Sequence, residues 1–411
     1  MTTGLMLAGA MTTTSAGAAE ITFGGDARAR FHALDNYQGV TQMAPKDSDE
    51  SFWSSRVRLQ FQINTKGGAY AVGRFSLTDG IWDGQSGAEG SSLAYGKKSN
   101  LDVDIGYIGV PLGPIVVEAG TGYNTMNQFI RADDAYDFLR AVYATKTTTV
   151  VAFIEKLSEY QENTTTDPLT GEKVPLLDEN GRQVIDNNFT TDNDIDQYGV
   201  NLIQRFDNGW KMNAVFFYRN NQQDNKDSMA GDVLFDGRVG DIRLFAEIAY
   251  KEADYQDTDN DGVGGYVAVK MPLGIASVSV LAGATSNGFT ASGNFGGDSQ
   301  EYAPFVMLSK ANSDVLGMLN TGVLIGSPTG NSYFFNVAPS IRVSDKLTLT
   351  AESTYMNADY GDSNLNIVEV GGIAQYKVSD GATITALLGY LDIENADKNP
   401  LGFGLALDLA F

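Results

Sequence analysis

The chain ends on Leu401–Phe411, LGFGLALDLAF, and every second residue of that stretch is apolar: Leu401, Phe403, Leu405, Leu407, Leu409 and Phe411. A period of two sets these six side chains on one face of a β-strand, with Gly402, Gly404, Ala406, Asp408 and Ala410 on the other. A tilted strand of about 10 residues is long enough to cross a bilayer. What such an ending means depends on whether the rest of the chain repeats its pattern.

The composition narrows the classes. The protein has 411 residues, 43% of them hydrophobic, and 46 glycines. It contains no apolar run of the length a membrane-spanning helix needs, but alternating strands escape that test. There is no cysteine, which removes disulfides, thiolate metal sites, thiol nucleophiles and covalent haem attachment. The net charge of −23, from 51 acidic and 28 basic residues, repels nucleic acid. The start, MTTGLMLAGAMTTTSAGAAE, has a short apolar stretch and a small-residue site at Ala16-Gly17-Ala18 but no basic leader. It predicts a signal peptide over residues 1–19 and a mature chain, 20–411, outside the cytoplasm.

The alternation begins at once. In ITFGGDARARF, Ile21, Phe23, Ala27, Ala29 and Phe31 share one face; Thr22, Asp26, Arg28, Arg30 and the following His32 share the other. FWSSRVRLQFQIN sets Trp53, Val57, Leu59, Phe61 and Ile63 against Arg56, Arg58, Gln60, Gln62 and Asn64. TKGG turns the chain into AYAVGRFSLTD, where Phe75 and Leu77 oppose Arg74 and Ser76. The pattern returns in LDVDIGYIGV, WKMNAVFFYR, DIRLFAEIAY, KLTLTAESTY and ATITALLGYLD. Tight turns join many of these strands, at 111–114, 206–209, 238–241, 272–274, 343–346 and 378–381, with the Gly, Asp, Asn and Pro that hairpins require. The other connections, 80–100, 158–194, 254–262 and 287–299, are long and polar.

Short turns on one side and long loops on the other predict an all-β fold: a transmembrane, antiparallel, up-and-down β-barrel in one domain, 20–411. The count is about 18 strands, within roughly 16–20, and reaches the upper end if 301–308 and 316–325 form a further hairpin. Closure leaves no exposed edge. Aromatics near strand ends, at Phe52-Trp53, Tyr107, Tyr123, Tyr218, Tyr250, Tyr333, Tyr355 and Tyr390, suit a lipid–water interface.

The signal-like start, ITFGGDARARF as first strand, RVRLQFQIN before a glycine turn, the alternating hairpins and the terminal Phe411 together resemble the porins of Gram-negative outer membranes. The resemblance is one of architecture over 20–411. It implies an outer-membrane location, lipid and lipopolysaccharide as surroundings, a possible homotrimer, and Phe411 as an insertion signal read by the barrel-assembly machinery. It also implies a third long loop folded into the bore. That loop is NTMNQFIRADDAYDF, Asn124–Phe138, with Arg131, Asp133, Asp134 and Asp137 as candidate constriction residues; an external loop is the plainer alternative.

Arg28, Arg30, Arg56, Arg58 and Arg74 form a candidate basic ladder facing the pore, because a low-dielectric wall focuses the field of such rows. The plainer alternative pairs them with Asp26, Asp102, Asp104 and Glu118. Asp257, Asp259 and Asp261, followed by Gly262, have calcium-loop spacing, but Ala268 stands where the closing glutamate belongs. A weak divalent-cation loop is one reading and a solvated hairpin loop the other. His32 is the only histidine, with no nucleophile motif beside it, so no enzyme is expected. No cofactor is implied. The expected function is passive diffusion of small hydrophilic solutes and ions, with mild anion preference. The alternative is a barrel sheath around a partner multihaem cytochrome, which an inward-folded loop would exclude.

Overall fold

The computed structural model describes residues 19–36, 50–81, 102–123, 127, 129–131, 135–158, 164–166, 173–175, 194–222, 226–256, 260–292, 295, 304–308, 324–327, 329–360, 363–394, 396 and 398–411. Of the predicted signal segment, 1–19, only Ala19 lies among them, as the first residue of the first strand. Alternating sequence makes strands here because each exposes one apolar and one polar face, and pairing satisfies every backbone group between them.

The first seven strands are β1 (Ala19–Asp35), β2 (Glu50–Thr65), β3 (Tyr70–Ile81), β4 (Asp102–Leu112), β5 (Ile115–Tyr123), β6 (Ala135–Ala144) and β7 (Thr148–Ser158). A separate two-stranded hairpin, β8 (Thr164–Thr166) and β9 (Lys173–Pro175), follows. The wall resumes with β10 (Ile195–Arg205), β11 (Lys211–Asn221), β12 (Lys226–Val239) and β13 (Ile242–Lys251). A single helical turn, α1 (Ala253–Gln256), precedes β14 (Gly262–Leu273), β15 (Ala276–Ser286), β16 (Ser332–Arg342), β17 (Leu347–Tyr360), β18 (Ser363–Ser379), β19 (Ala382–Ile393) and β20 (Leu401–Ala410). Each wall strand pairs antiparallel with its sequence neighbours, β7 with β10, and β20 with β1. The result is one closed ring of 18 strands, at the centre of the expected range.

The outer face carries the apolar set: Phe23, Trp53, Leu59, Ile108, Leu139, Phe216, Ile248, Val267, Leu388 and Leu407 are all exposed. Tyr218, Tyr250, Tyr333 and Tyr390 join β11, β13, β16 and β19. Tyr107 departs from the aromatic expectation, because its ring packs against Tyr70 and Phe138 beside the buried Glu118. All the predicted tight turns fall between strands. One further turn, at 145–147, lacks glycine, asparagine and aspartate; there the Thr145 hydroxyl accepts from the Thr148 N–H at 2.9 Å. Of the extra hairpin expected over 301–308 and 316–325, residues 301–303 and 316–323 lie outside the described residues. Pro304–Leu308 carries no strand, and Phe305 to Leu308 are fully buried inside the barrel.

Closure answers the opening pattern. β20 runs beside β1 from Asp26↔Ala410 to Asp35↔Leu401. One residue further, the Gly25 N–H donates to the Phe411 carbonyl at 2.8 Å and the Phe411 N–H donates back at 3.1 Å. The Phe411 ring covers Gly25, where a Cβ would lie 2.8 Å from that ring and 2.4 Å from the Arg58 carbonyl oxygen. Only glycine permits that approach. Gly25→Val is therefore expected to destabilise the seam by about 1–3 kcal/mol, read as a lower temperature for loss of the compact, heat-modifiable band on electrophoresis.

Candidate functional site: the lumen

Three neighbouring strands place the arginines side by side on the inner wall. Arg28 stands opposite Arg56 and Asp26 opposite Arg58 across β1–β2, while Gln60 stands opposite Arg74 across β2–β3. Arg58 donates to both Asp26 oxygens, at 3.1 and 2.9 Å, and its Nη1 lies 3.7 Å from Asp104. Arg74 Nε donates to Asp104 at 2.9 Å. Arg56 reaches Asp26 at 3.4 Å and Arg30 reaches Asp408 at 3.7 Å. Five guanidinium groups thus share this wall with Asp26, Asp104 and Asp408, and like charges directly opposite each other, as at Arg28 and Arg56, cost stability unless anions offset them. The Asp26, Asp104 and Asp408 side chains keep 32, 21 and 28% of their surface exposed and those of Arg56, Arg58 and Arg74 keep 13, 14 and 14%, so this part of the wall meets water, whereas Arg30 is buried. Glu118 is not a partner of the ladder: it takes Arg140 and the Tyr70 hydroxyl. The Asp102 side chain lies outside the described residues.

The opposite side of the lumen is dry. The described residues of the connection from β5 to β6, Asn127, Phe129, Ile130 and Arg131, lie buried inside the barrel. Asn127 Nδ2 donates to Asp232 at 2.6 Å and to the Asn213 carbonyl at 3.0 Å, while Asn213 Nδ2 donates back at 2.5 Å. Phe129 is fully buried among Tyr266, Phe289 and Phe295, at ring distances of 5.3, 5.2 and 4.9 Å. Arg131 donates to the fully buried Glu155 at 2.6 Å and lies over the Tyr136 ring at 4.2 Å. Described residues of the connection from β15 to β16, Phe295 and Phe305 to Leu308 among them, are buried as well, and the Ser292 N–H donates to the Phe129 carbonyl at 2.9 Å, joining the two inward segments. Lys251 steadies its base, donating to the Thr290 carbonyl at 2.9 Å with its ammonium over the Phe289 ring.

The candidate constriction set separates. Arg131 is interior and ion-paired, so it is a brace for its loop and not a free cation in the path. Asp133 and Asp134 lie outside the described residues. Asp137 is corrected: it belongs to β6, shares the outward face with Leu139 and accepts from the Thr121 hydroxyl. Alternation decides this, since Phe138 and Tyr136 take the inward positions beside it. Of the candidate divalent loop, Asp257 and Asp259 lie outside the described residues. Asp261 accepts from the Ala253 N–H at 3.0 Å and the Tyr250 hydroxyl at 2.8 Å, which hold it below the usual carboxylate range. It thereby braces α1 against β13. His32 stacks on Phe52 at 4.5 Å and meets the Ser54 hydroxyl at 3.2 Å.

Sequence reasoning missed the buried carboxylates. Glu155, Asp232, Glu247, Glu352 and Glu369 all stand on inward positions and are almost fully buried. Their signal was present as single acidic residues at inward positions of otherwise apolar strands, but such residues read as pore lining until the loops that cover them are known.

No family model and no curated protein sequence matches the chain. Solved structures do. A BenF-like porin from Pseudomonas fluorescens Pf-5 aligns at TM-score 0.59 and 11% identity, over 95% of this chain and 98% of that one. Pseudomonas aeruginosa OccK2 (OpdF), in complex with glucuronate, aligns at TM-score 0.58 and 10% identity over 95% and 98%. Acinetobacter baumannii OccAB1 aligns at TM-score 0.59 and 14% identity over 95% and 96%. At these identities the likeness is one of fold.

The Arg131–Glu155 brace is testable. Arg131→Ala leaves a buried carboxylate without its cation and is expected to cost about 3–5 kcal/mol. Arg131→Ala/Glu155→Gln is expected to recover much of that loss, both measured by denaturant unfolding of the folded barrel in detergent.

Proposed function

We propose that this chain, which has the porin-like fold of Gram-negative outer-membrane β-barrels, forms a water-filled channel for passive diffusion of small hydrophilic solutes and ions, with mild preference for anions. The observation that carries the reading is the division of the lumen. The wall of β1, β2 and β3 is rich in arginine and open to water at Asp26, Arg56, Arg58 and Arg74, whereas most of the apolar cluster that encloses the inward segments comes from β11 to β19. A solute crossing the barrel is therefore steered along the arginine wall, where water access and positive charge coincide. Charges in water are screened within about 8–10 Å at physiological salt, so the local guanidinium groups dominate over the net −23. The two inward segments act as the constriction.

The sheath reading needs a bore empty enough to receive a haem protein. Phe129, Phe295, Phe305 and Met307 already occupy the interior, which argues against it. Lipid and lipopolysaccharide around the apolar face, Phe411 as an assembly signal, and association of three barrels remain companions of the channel reading. No chemistry is assigned to the lumen: passive diffusion needs no bond making, and His32 is engaged with Phe52 and Ser54. An anionic sugar of the kind bound in the OccK2 structure is a suitable first solute.

The test is single-channel recording of the purified protein in a planar bilayer under a KCl gradient. Discrete open steps are expected, with a reversal potential on the anion side that moves toward the cation side in Arg56→Ala/Arg58→Ala, which removes two of the five ladder charges. Steps indifferent to the double substitution would discard the ladder, and a folded, inserted barrel that carries no current would discard the channel.

A further inference from the structure

The most unusual polar contact in the lumen involves Glu369, in the middle of β18, opposite Thr354 of β17 and Leu391 of β19. Its side chain is fully buried. Three successive backbone N–H groups of the β15–β16 connection converge on its carboxylate: Val306 and Met307 on Oε1 at 2.7 and 2.5 Å, and Leu308 on Oε2 at 3.1 Å. Convergent amides of this kind form an anion nest, and hydrogen bonds to a charged acceptor are the stronger ones. Here the anion belongs to the wall and the nest belongs to the loop.

The wall around Glu369 is shaped for the same segment. A Cβ at Gly371 would lie 2.5 Å from Val306, and one at Gly389 would lie 2.6 Å from Met307. Both glycines occupy inward positions, two residues along β18 from Glu369 and directly across from Gly371 on β19. Their missing side chains leave a recess in which Val306 and Met307 are fully buried. Phe305 then packs on Phe295 at 5.8 Å, and Phe295 on Phe129 at 4.9 Å. The recess is thus coupled through two aromatic contacts to the other inward segment.

We propose that Glu369 is a positioning residue for the solute route: its carboxylate, with the recess at Gly371 and Gly389, pins Val306–Leu308 to the wall and so sets the bore left open along the arginine side. Without the anion, three buried N–H groups lose their charged acceptor, the hold on the segment is reduced to the apolar contacts of the recess, and the constriction widens. The consequence for the bore rests on the channel reading above; the docking does not.

Two measurements separate these parts. The chain has no cysteine, so Met307→Cys gives one thiol in the recess. In full-length protein inserted in lipid vesicles, its labelling by a maleimide is expected to be slow, and about tenfold or more faster when Glu369→Gln is added, since one lost charged hydrogen bond changes a population by about that factor. Equal labelling with and without Glu369→Gln overturns the docking, whatever the barrel conducts. In planar bilayers, Glu369→Gln and, independently, Gly389→Val are expected to give larger and noisier open steps and to admit larger polyethylene glycols. Unchanged steps and size limits in both variants, with the heat-modifiable barrel band intact, overturn the positioning role. Absence of current in the unsubstituted protein counts against the channel reading and leaves the labelling result to decide the docking.

Discussion

Everything in this molecule depends on the pairing of β1 with β20. In lipid an unpaired N–H or carbonyl has no water to turn to, and each such group costs several kcal/mol. A sheet with apolar side chains along its outer face must therefore close on itself. The seam from Asp26↔Ala410 to Asp35↔Leu401, extended by the reciprocal bonds between Gly25 and Phe411, removes the last edge. The final aromatic residue is a structural partner of the first strand, which is why the pattern of Leu401–Phe411 continues to the last position.

Closure creates an interior, and the interior is divided. On β1 to β3 the inward side chains include Asp26, Arg56, Arg58 and Arg74, which are partly exposed and paired across strands, with guanidinium groups in excess. On the far side, two connections fold in and supply a second core of aromatic and aliphatic side chains enclosed by the wall. Burying carboxylates in such a core requires donors for each of them. Arg131 and Gln197 serve Glu155, Tyr266 serves Glu247, Asn127 serves Asp232, and three backbone amides serve Glu369. Glu155, Asp232 and Glu369 are the attachment points through which the wall holds its own loops.

The wall was legible in the sequence because strand periodicity is local. Each alternation, as in Trp53 to Ile63 or Leu401 to Phe411, reports its two faces without reference to anything distant. Hairpins announced themselves wherever glycine, proline, asparagine or aspartate supplied the turn, and failed to do so at 145–147, where the Thr145 hydroxyl performs that task. The stretch 301–308 reads as a strand in the sequence, yet its described part, 304–308, carries none: burial on every side satisfies an apolar composition without a ladder. Asp137 was grouped with a loop because it follows two aspartates in sequence, although its alternation with Phe138 and Leu139 already marked it as part of β6.

By itself, the sequence determined the barrel, its approximate strand number, the inward placement of Arg28, Arg30, Arg56, Arg58 and Arg74 and the absence of thiol chemistry, since all of these follow from period, turn residues and composition. Which arginine meets which aspartate, which side of the lumen is filled, and how Glu369 comes to hold Val306–Leu308 were decided only in the tertiary structure. Those contacts join residues far apart in the sequence, 105 positions for Asn127 and Asp232 and nearly the whole barrel for Arg30 and Asp408. Their partners are brought together by ring closure and by loops whose course depends on the recesses they enter, and no local periodicity encodes that.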